Sequence, residues 1–450
     1  MPGNIGKQAV VVGAGMGGLT AARALADYFE SVVVLERDSL PSTAAHRVGT
    51  PQAPHVHVLL TSGYNALTRL YPNFDDDLRR AGAVQLRAGL DVRNERPGYD
   101  PFPQRDLGWS VYSMSRALLE HTVRTQLAKY PNVVVRQRCR AEKVLMTSDG
   151  AAASGVAYES SDGRRDVVPA DMVVDSSGRG NLTLELLKSS NRHLPEETVI
   201  GVDFRYATAM IPIPNDAPTG WMGVYTLPEA PASSCGGLMM PVEGRKWVLS
   251  LAANHGAQPP DSWNGFLEFT RKLRTLTIYN AISASMPIDR IVEFGFPESV
   301  RRHFESLENF PKRFLPLGDA ICRFNPVYGQ GMSVAALEAG MLHSLLGARG
   351  SPEETLDRLS TRYFEEASSL IDAPWAIAAG MDLVYPQTRG KRPPDFEMMT
   401  RFGLALNRIA ARDPAVHKLT VEVQHLLKPR SALLAPKIVE RVRSEMSGGS

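Results

Sequence analysis

The stretch AVVVGAGMGGLTAARALADYFESVVVLERD, residues 9–38, decides the fold. Ala9 to Val12 is an apolar strand rich in valine, and Gly13, Gly15 and Gly18 complete the pattern G-x-G-x-x-G. Leu19 to Tyr28 reads as an alanine-rich helix, Val32 to Leu35 as a second strand, and Glu36 closes that strand 23 residues after Gly13. Each glycine has a task in such a β–α–β unit. Gly13 allows a tight turn, Gly15 lets backbone approach a pyrophosphate, and Gly18 lets helix and strand pack closely. The helix N-terminus stabilises phosphate charge, and a carboxylate at Glu36 suits a ribose diol. The order predicts a dinucleotide-binding domain, and the motif by itself does not separate NAD from FAD.

The rest of the composition narrows the class. At 450 residues the chain exceeds one ordinary core, so two or three lobes are expected. Hydrophobic residues at 43% and charged residues at 22% are those of a soluble globular protein. Lysine plus arginine (50) nearly cancels aspartate plus glutamate (48), and no long basic run occurs, which argues against a nucleic-acid partner. Cys139, Cys235 and Cys322 are far apart, without C-x-x-C or a histidine at ligand spacing. That argues against a disulfide framework or a cysteine metal site and fits a reducing, cytoplasmic location. Residues 7–26 mimic a signal peptide, but the glycine pattern accounts for them better. No run reaches the length of a transmembrane segment.

A second glycine cluster, LPLGDAICRFNPVYGQGMSVAALEAG, spans residues 315–340. An acid follows a glycine at the end of an apolar run, a proline interrupts, and Gly329 and Gly331 launch a helix. A helix start this rich in glycine implies that something anionic or planar must approach the backbone. Between the clusters lie a proline-rich loop with alternating histidines, HRVGTPQAPHVHVLL (46–60), and a capped helix followed by strands, YSMSRALLEHTVRTQLAKYPNVVVRQRCRAEKVL (112–145). Ser115 is the expected N-cap, and Leu118, Leu119, Val123 and Leu127 form an apolar stripe. Arg116 stands in the first turn, where the helix dipole disfavours a cation; a buried anion nearby or plain solvation would each account for it. The run VPADMVVDSSGRGN (168–181) gives another strand with an acid at its end.

Together these segments resemble the FAD-dependent monooxygenases of the para-hydroxybenzoate hydroxylase fold, and within them the flavin epoxidases of squalene-epoxidase and polyether-biosynthesis type. The 315–340 stretch carries the most specific part of the likeness, matching the Gly-Asp motif of that superfamily. The resemblance implies an α/β fold: a Rossmann-like FAD-binding domain of glutathione-reductase type, an antiparallel β-sheet substrate domain and a C-terminal helical region. It assigns residues 1–90, 105–190 and 290–350 to the FAD domain, 91–104 and 191–289 to the sheet domain, and 351–450 to the helices. Runs at 199–211, 220–227, 236–243 and 246–253 read as the strands of that sheet, and 386–396 as a loop.

The resemblance also implies roles. Gly13, Gly15 and Gly18 would hold the FAD pyrophosphate, and Glu36, with Arg37 beside it, the adenosine ribose. Arg116 would reach the phosphate or ribityl region, and Arg47 would lie in a loop beside the flavin. Asp319 would bind ribityl hydroxyls, while Gly329, Gly331 and Met332 present backbone to the isoalloxazine. The implied activity inserts one oxygen atom of O2 through a flavin hydroperoxide, most simply into an alkene of an apolar polyketide-like or terpenoid-like substrate. No second G-x-G-x-x-G is present, so NAD(P)H is expected as a transient reductant, or a separate flavin reductase supplies the electrons. Where aromatic hydroxylases carry D-G-x-x-S-x-x-R, this chain has DSSGRGN (175–181), and the W-x-W-x-I-P pattern of flavin halogenases is missing. Aromatic hydroxylation, a reductase or desaturase of geranylgeranyl-reductase type, and a flavin-free escort protein are the alternatives.

No side chain is singled out as catalytic, since the flavin does the chemistry. His55, His57 and Tyr328 are the candidates near it, with a structural role open for both histidines and a metal ion not expected. Phe204, Trp221, Met222, Tyr225, Met239, Met240 and Asn325 are candidates to line the pocket, with sheet core as the alternative reading for the apolar ones.

Overall fold

A computed structural model of the chain describes residues 4–348 and 351–447. The valine-rich strand Gly6–Val12 lies at the centre of a five-stranded sheet, between Met172–Asp175 and Phe29–Leu35, with Phe314–Pro316 and Val133–Arg136 at the edges. Every pairing in it is parallel. Val12 lies opposite both Leu35 and Asp175, so the glycine turn, Glu36 and Asp175 leave the sheet at the same end. Ligands of open parallel sheets bind at that carboxyl end.

Side-chain alternation explains why both faces are covered. Ala9, Val11, Val32 and Val34 pack against the helices Met16–Ala26, Arg116–Leu127, Gly331–Leu346 and Pro352–Asp382. Val10, Val12, Val33 and Leu35 point the other way, onto Val144, Val156 and Val168 of a small antiparallel sheet and Leu182 and Leu186 of the helix Asn181–Ser189. The first helix begins at Met16, one turn earlier than the expected Leu19, because Gly15 itself is the N-cap.

A second, seven-stranded sheet runs in the order Cys322–Arg323, Val292–Arg302, Glu197–Pro212, Lys246–Ala253, Gly236–Val242, Gly223–Thr226, Val92–Glu95. Its pairs are antiparallel except the last, which is parallel, so the sheet is mixed rather than purely antiparallel. Two boundaries also shift. Residues 292–302, expected on the cofactor side, pair along Glu197–Pro212 and belong to this second sheet. Their alternation was obscured by Pro297 and by charged residues on the open face. The chain from 351 onward does not form a separate layer at its start: Leu356, Leu359, Tyr363, Phe364 and Ile371 of the long helix Pro352–Asp382 bury into the first core. Helices Phe396–Arg412, Pro414–Gln424 and Pro436–Ser447 follow, and the first two and the last share a small core with Phe102. Among the described residues no helix is long and apolar enough to cross a membrane.

Candidate functional site: two glycine turns and a buried ion-pair chain

The first turn is shaped by sterics. Gly13 has φ +98°, and a Cβ there would lie 2.5 Å from the carbonyl oxygen of Ser176. A Cβ on Gly18 would lie 1.8 Å from the carbonyl oxygen of Gly13, so only glycine permits this helix to pack on this strand. Gly15 differs: a Cβ there would meet nothing within 4 Å. That open side faces a helix start with no side-chain cap and no acid in its first turn, leaving amide donors free for an anion. Asp175, at the end of the neighbouring strand, accepts from the amides and hydroxyls of Ser177 and Thr183 and fixes the adjoining loop.

Glu36 is buried and accepts from the amides of Ala14 (2.7 Å) and Asp38 (2.9 Å). Arg47 does not reach the second glycine cluster. Three carboxylates hold it here instead: Asp38 at 2.8 Å, Glu120 at 2.7 Å and Glu36 at 3.4 Å, and it also donates to the carbonyl of Ala14 at 3.2 Å. Arg47 thus stands beside Glu36 and the first glycine turn. Arg37 is exposed.

Ser115 caps its helix by accepting from the amide of Leu118, which places Arg116 in the first turn. Arg116 is buried and pairs with the other oxygen of Glu120 at 2.8 Å. Its Nη1 is buried without a partner. Burial pushes its pKa down, opposed by Glu120 and by Asp319. His57 lies close enough for the Arg116 charge, together with burial, to push its ring down to about 4. Its Nδ1 meets the carbonyl oxygen of His55 at 2.8 Å, the ring nitrogen donating.

At the second turn Gly318 takes φ +71° and donates its amide to Glu338 at 2.6 Å. Burial pushes the Glu338 carboxyl up to about 8. Asp319 follows, with part of its side chain exposed and the turn packed around the rest. That crowding pushes its carboxyl up to about 6, against the pull of Arg323 and Arg116. Asp319 Oδ1 lies 3.8 Å from where a Cβ on Gly331 would stand, so the acid adjoins the start of the helix Gly331–Leu346. That helix has neither a side-chain cap nor an acid in its first turn. Met332 is partly buried beside it, and Gln330 keeps a buried Oε1 without a partner. Gly329 adopts φ +66°, a conformation that favours glycine. Tyr328 and Asn325 both donate to Asp382 Oδ1, at 2.6 and 2.9 Å.

The second sheet presents two different faces. Phe204 and Tyr206 pack with Phe294, Phe296, Val327 and Trp375, next to the second glycine turn. On the same side His55 Nδ1 meets Thr208 Oγ1 at 2.7 Å, and its ring sits edge-on to Tyr206. Burial pushes its pKa down to about 3, so it is neutral at physiological pH. Tyr225 is cross-strand from Leu238, itself cross-strand from Ser250 and Thr208 in turn, which puts Tyr225 on this face too. Trp221 and Met239 lie on the opposite face, in a core with Trp247, Phe266, Ile278 and Ile282. Met222, just before its strand, is exposed, and Met240 packs with Leu86 and Val248 on the same face as Tyr225. Period-two alternation separates these residues, and composition could not say which face was which.

Free amides at two helix starts, an open glycine turn, and the unpartnered Arg116 Nη1 and Gln330 Oε1 fit an extended dinucleotide carrying a planar ring at its far end. Glu120, Glu338 and Asp382 complete the constellation without having been picked out in the sequence. Glu120 had a readable signal in its i,i+4 spacing from Arg116. Glu338 was a lone acid in an alanine-rich helix, and Asp382 gave no signal.

The profile of the family described as "FAD dependent oxidoreductase" matches residues 8–185. Protein Rv3254 of Mycobacterium tuberculosis is 31% identical over 365 residues, covering 78% of this chain and 75% of that protein. The flavin-dependent brominase Bmp2 superposes with a TM-score of 0.65 at 13% identity, over 99% of this chain and 100% of that one. PqsL of Pseudomonas aeruginosa, described as a probable FAD-dependent monooxygenase, superposes with a TM-score of 0.60 at 17% identity, over 84% of this chain and 97% of that one. The structural likenesses establish the fold. The chain belongs to the FAD-dependent oxidoreductases.

Proposed function

We propose that this FAD-dependent enzyme is a monooxygenase that epoxidises an alkene of an apolar, polyketide-like or terpenoid-like substrate, with NAD(P)H or a separate reductase as the electron source. The observation that carries the reading is the aromatic wall of Phe204, Tyr206, Phe294 and Phe296 packed with Val327 of the glycine turn. Bound FAD supplies two-electron redox chemistry and, once reduced, activation of O2.

The chain's own residues do the rest. Gly13, Gly15, Gly18 and the free amides after them hold the pyrophosphate, and Glu36 with Arg47 holds the adenosine ribose. Arg116 and Asp319 take the ribityl chain. Gly329, Gly331 and Met332 present backbone to the isoalloxazine, and the positive end of the helix Gly331–Leu346 stabilises negative charge gathered there. The aromatic wall excludes water and orients an apolar chain. His55 is held neutral and bonded to Thr208. An alkene needs no deprotonation, so epoxidation is compatible with a site whose His55 stays neutral.

The test is oxygen uptake by the purified flavoprotein with NADH, NADPH or an added reductase, across a panel of polyenes and terpenoid alkenes. Alkene-dependent uptake, with one atom of 18O2 in an epoxide, is expected. Saturation of the alkene without uptake of oxygen would replace the reading with a reductase, and a phenolic product would replace it with a hydroxylase.

A further inference from the structure

The C-terminal end of the long helix Pro352–Asp382 is tied directly to the second glycine turn. Asp382 is 3% exposed, and its Oδ1 accepts from both Tyr328 Oη and Asn325 Nδ2. Its backbone carbonyl is held in turn by Thr388 Oγ1 at 2.8 Å. Asn325 is occupied at both ends, since its Oδ1 also accepts from the amide of Val327 at 3.3 Å and so caps the short helix Pro326–Tyr328. Both ends of that short helix, residues 325 and 328, therefore hang on one carboxylate oxygen. Gly329 and Gly331 come immediately after it.

Keeping a carboxylate in this place is costly. Asp382 Oδ2 is buried with no partner, and burial pushes the carboxyl up to about 6 despite the two donors on Oδ1. An apolar side chain would avoid that cost but could accept neither donor. Around it Val327, Trp375, Ala379 and Leu383 meet as non-directional apolar contacts, and the next polar side-chain tie along the chain is Ser333, whose Oγ accepts from the Leu60 amide at 2.9 Å. We propose that Asp382 is a positioning residue for the flavin: by holding Asn325 and Tyr328 it fixes the direction of the Gly329–Met332 backbone that faces the isoalloxazine ring. The proposal rests on FAD lying along this turn and not on the identity of the oxygenated substrate.

The test uses the purified holoprotein, reading the FAD dissociation constant, the midpoint potential of bound flavin and its visible spectrum, none of which involves substrate or oxygen. Asp382→Ala removes the acceptor, and Asp382→Asn keeps an oxygen that can accept from both donors. With Asp382→Ala the dissociation constant is expected to rise about tenfold or more, with a shifted potential and an altered spectrum. Asp382→Asn is expected to restore most of the affinity and the spectrum. If Asp382→Ala does not fold, the double variant Asn325→Ala, Tyr328→Phe removes both donors with Asp382 intact and is expected to reproduce the flavin effects. Wild-type affinity, potential and spectrum in either Asp382→Ala or the double variant would overturn the proposal, even if its melting temperature falls.

Discussion

Glu120 holds Arg47 on one carboxylate oxygen at 2.7 Å and Arg116 on the other at 2.8 Å. Arg47 reaches on to Glu36, and the charge of Arg116 is felt at Asp319. One buried acid thus joins Arg47, beside the first glycine turn, to Arg116, whose charge reaches the acid of the second. The alternating charges keep two guanidinium groups in a protein interior that would not tolerate them singly.

Glu120→Ala leaves Arg116 without the carboxylate it holds and strips Arg47 of one of three. The expected loss is about 3 kcal/mol of unfolding free energy, the usual result of breaking a buried pair from one side. Urea denaturation of wild type and variant measures it, and Glu120→Gln, which keeps an acceptor, should lose less.

Gly15 and Gly18 should behave oppositely. A methyl at 18 meets the Gly13 carbonyl oxygen at 1.8 Å, so Gly18→Ala is expected to give little folded protein. A methyl at 15 meets no protein atom within 4 Å, and the backbone there, φ −75° and ψ −177°, accepts any L-residue. Gly15→Ala should fold with a near wild-type melting temperature as apoprotein while binding FAD at least about tenfold more weakly, because the methyl occupies the approach of the pyrophosphate. Thermal melts and FAD titration of the two variants separate the effects.

Asp319→Ala is expected to fold and to lose FAD on gel filtration. A carboxylate accepting from ribityl hydroxyls is worth about 1.5–3 kcal/mol, or roughly ten- to a hundredfold in affinity. Wild-type flavin content in the purified variant would remove Asp319 from the site.

His425 gives a pH dependence of definite sign. Its Nδ1 takes the Thr61 hydroxyl at 2.8 Å, and burial pushes the ring down to about 4. The unfolded ring titrates near its ordinary value of about 6.5. Between those values the unfolded chain binds the extra proton, so this contribution to stability is whole above pH 6.5 and is lost as pH falls toward 4. Moving from pH 7.5 to pH 5 should cost wild type about 2 kcal/mol more than His425→Gln. Denaturation midpoints of both proteins at the two pH values check it.

The first glycine turn was readable because its determinants are local. G-x-G-x-x-G, the strands on either side and Glu36 fall within 28 residues, and steric rules act on neighbours. Helix starts at Ser115 and Gly331 were visible for the same reason. The partners of Arg47 at 36, 38 and 120 were not readable, because no short window contains them all. Trp221 and Met239 stayed open between pocket and sheet core, because alternation groups residues by face and leaves open which face meets the cofactor domain; the packing puts both in a core.

The sequence by itself determined the parallel α/β architecture and the dinucleotide end of the site, since strand periodicity, glycine stereochemistry and helix caps are properties of the chain read a few residues at a time. Tertiary structure alone decided how the two glycine turns are coupled. Glu120 between two arginines, Glu338 under Gly318 and Asp382 on Tyr328 and Asn325 are buried acids whose partners lie on other elements. A buried carboxylate is tolerated only where folding brings donors to it, and that meeting is written in the packing of the elements rather than in the order of the residues.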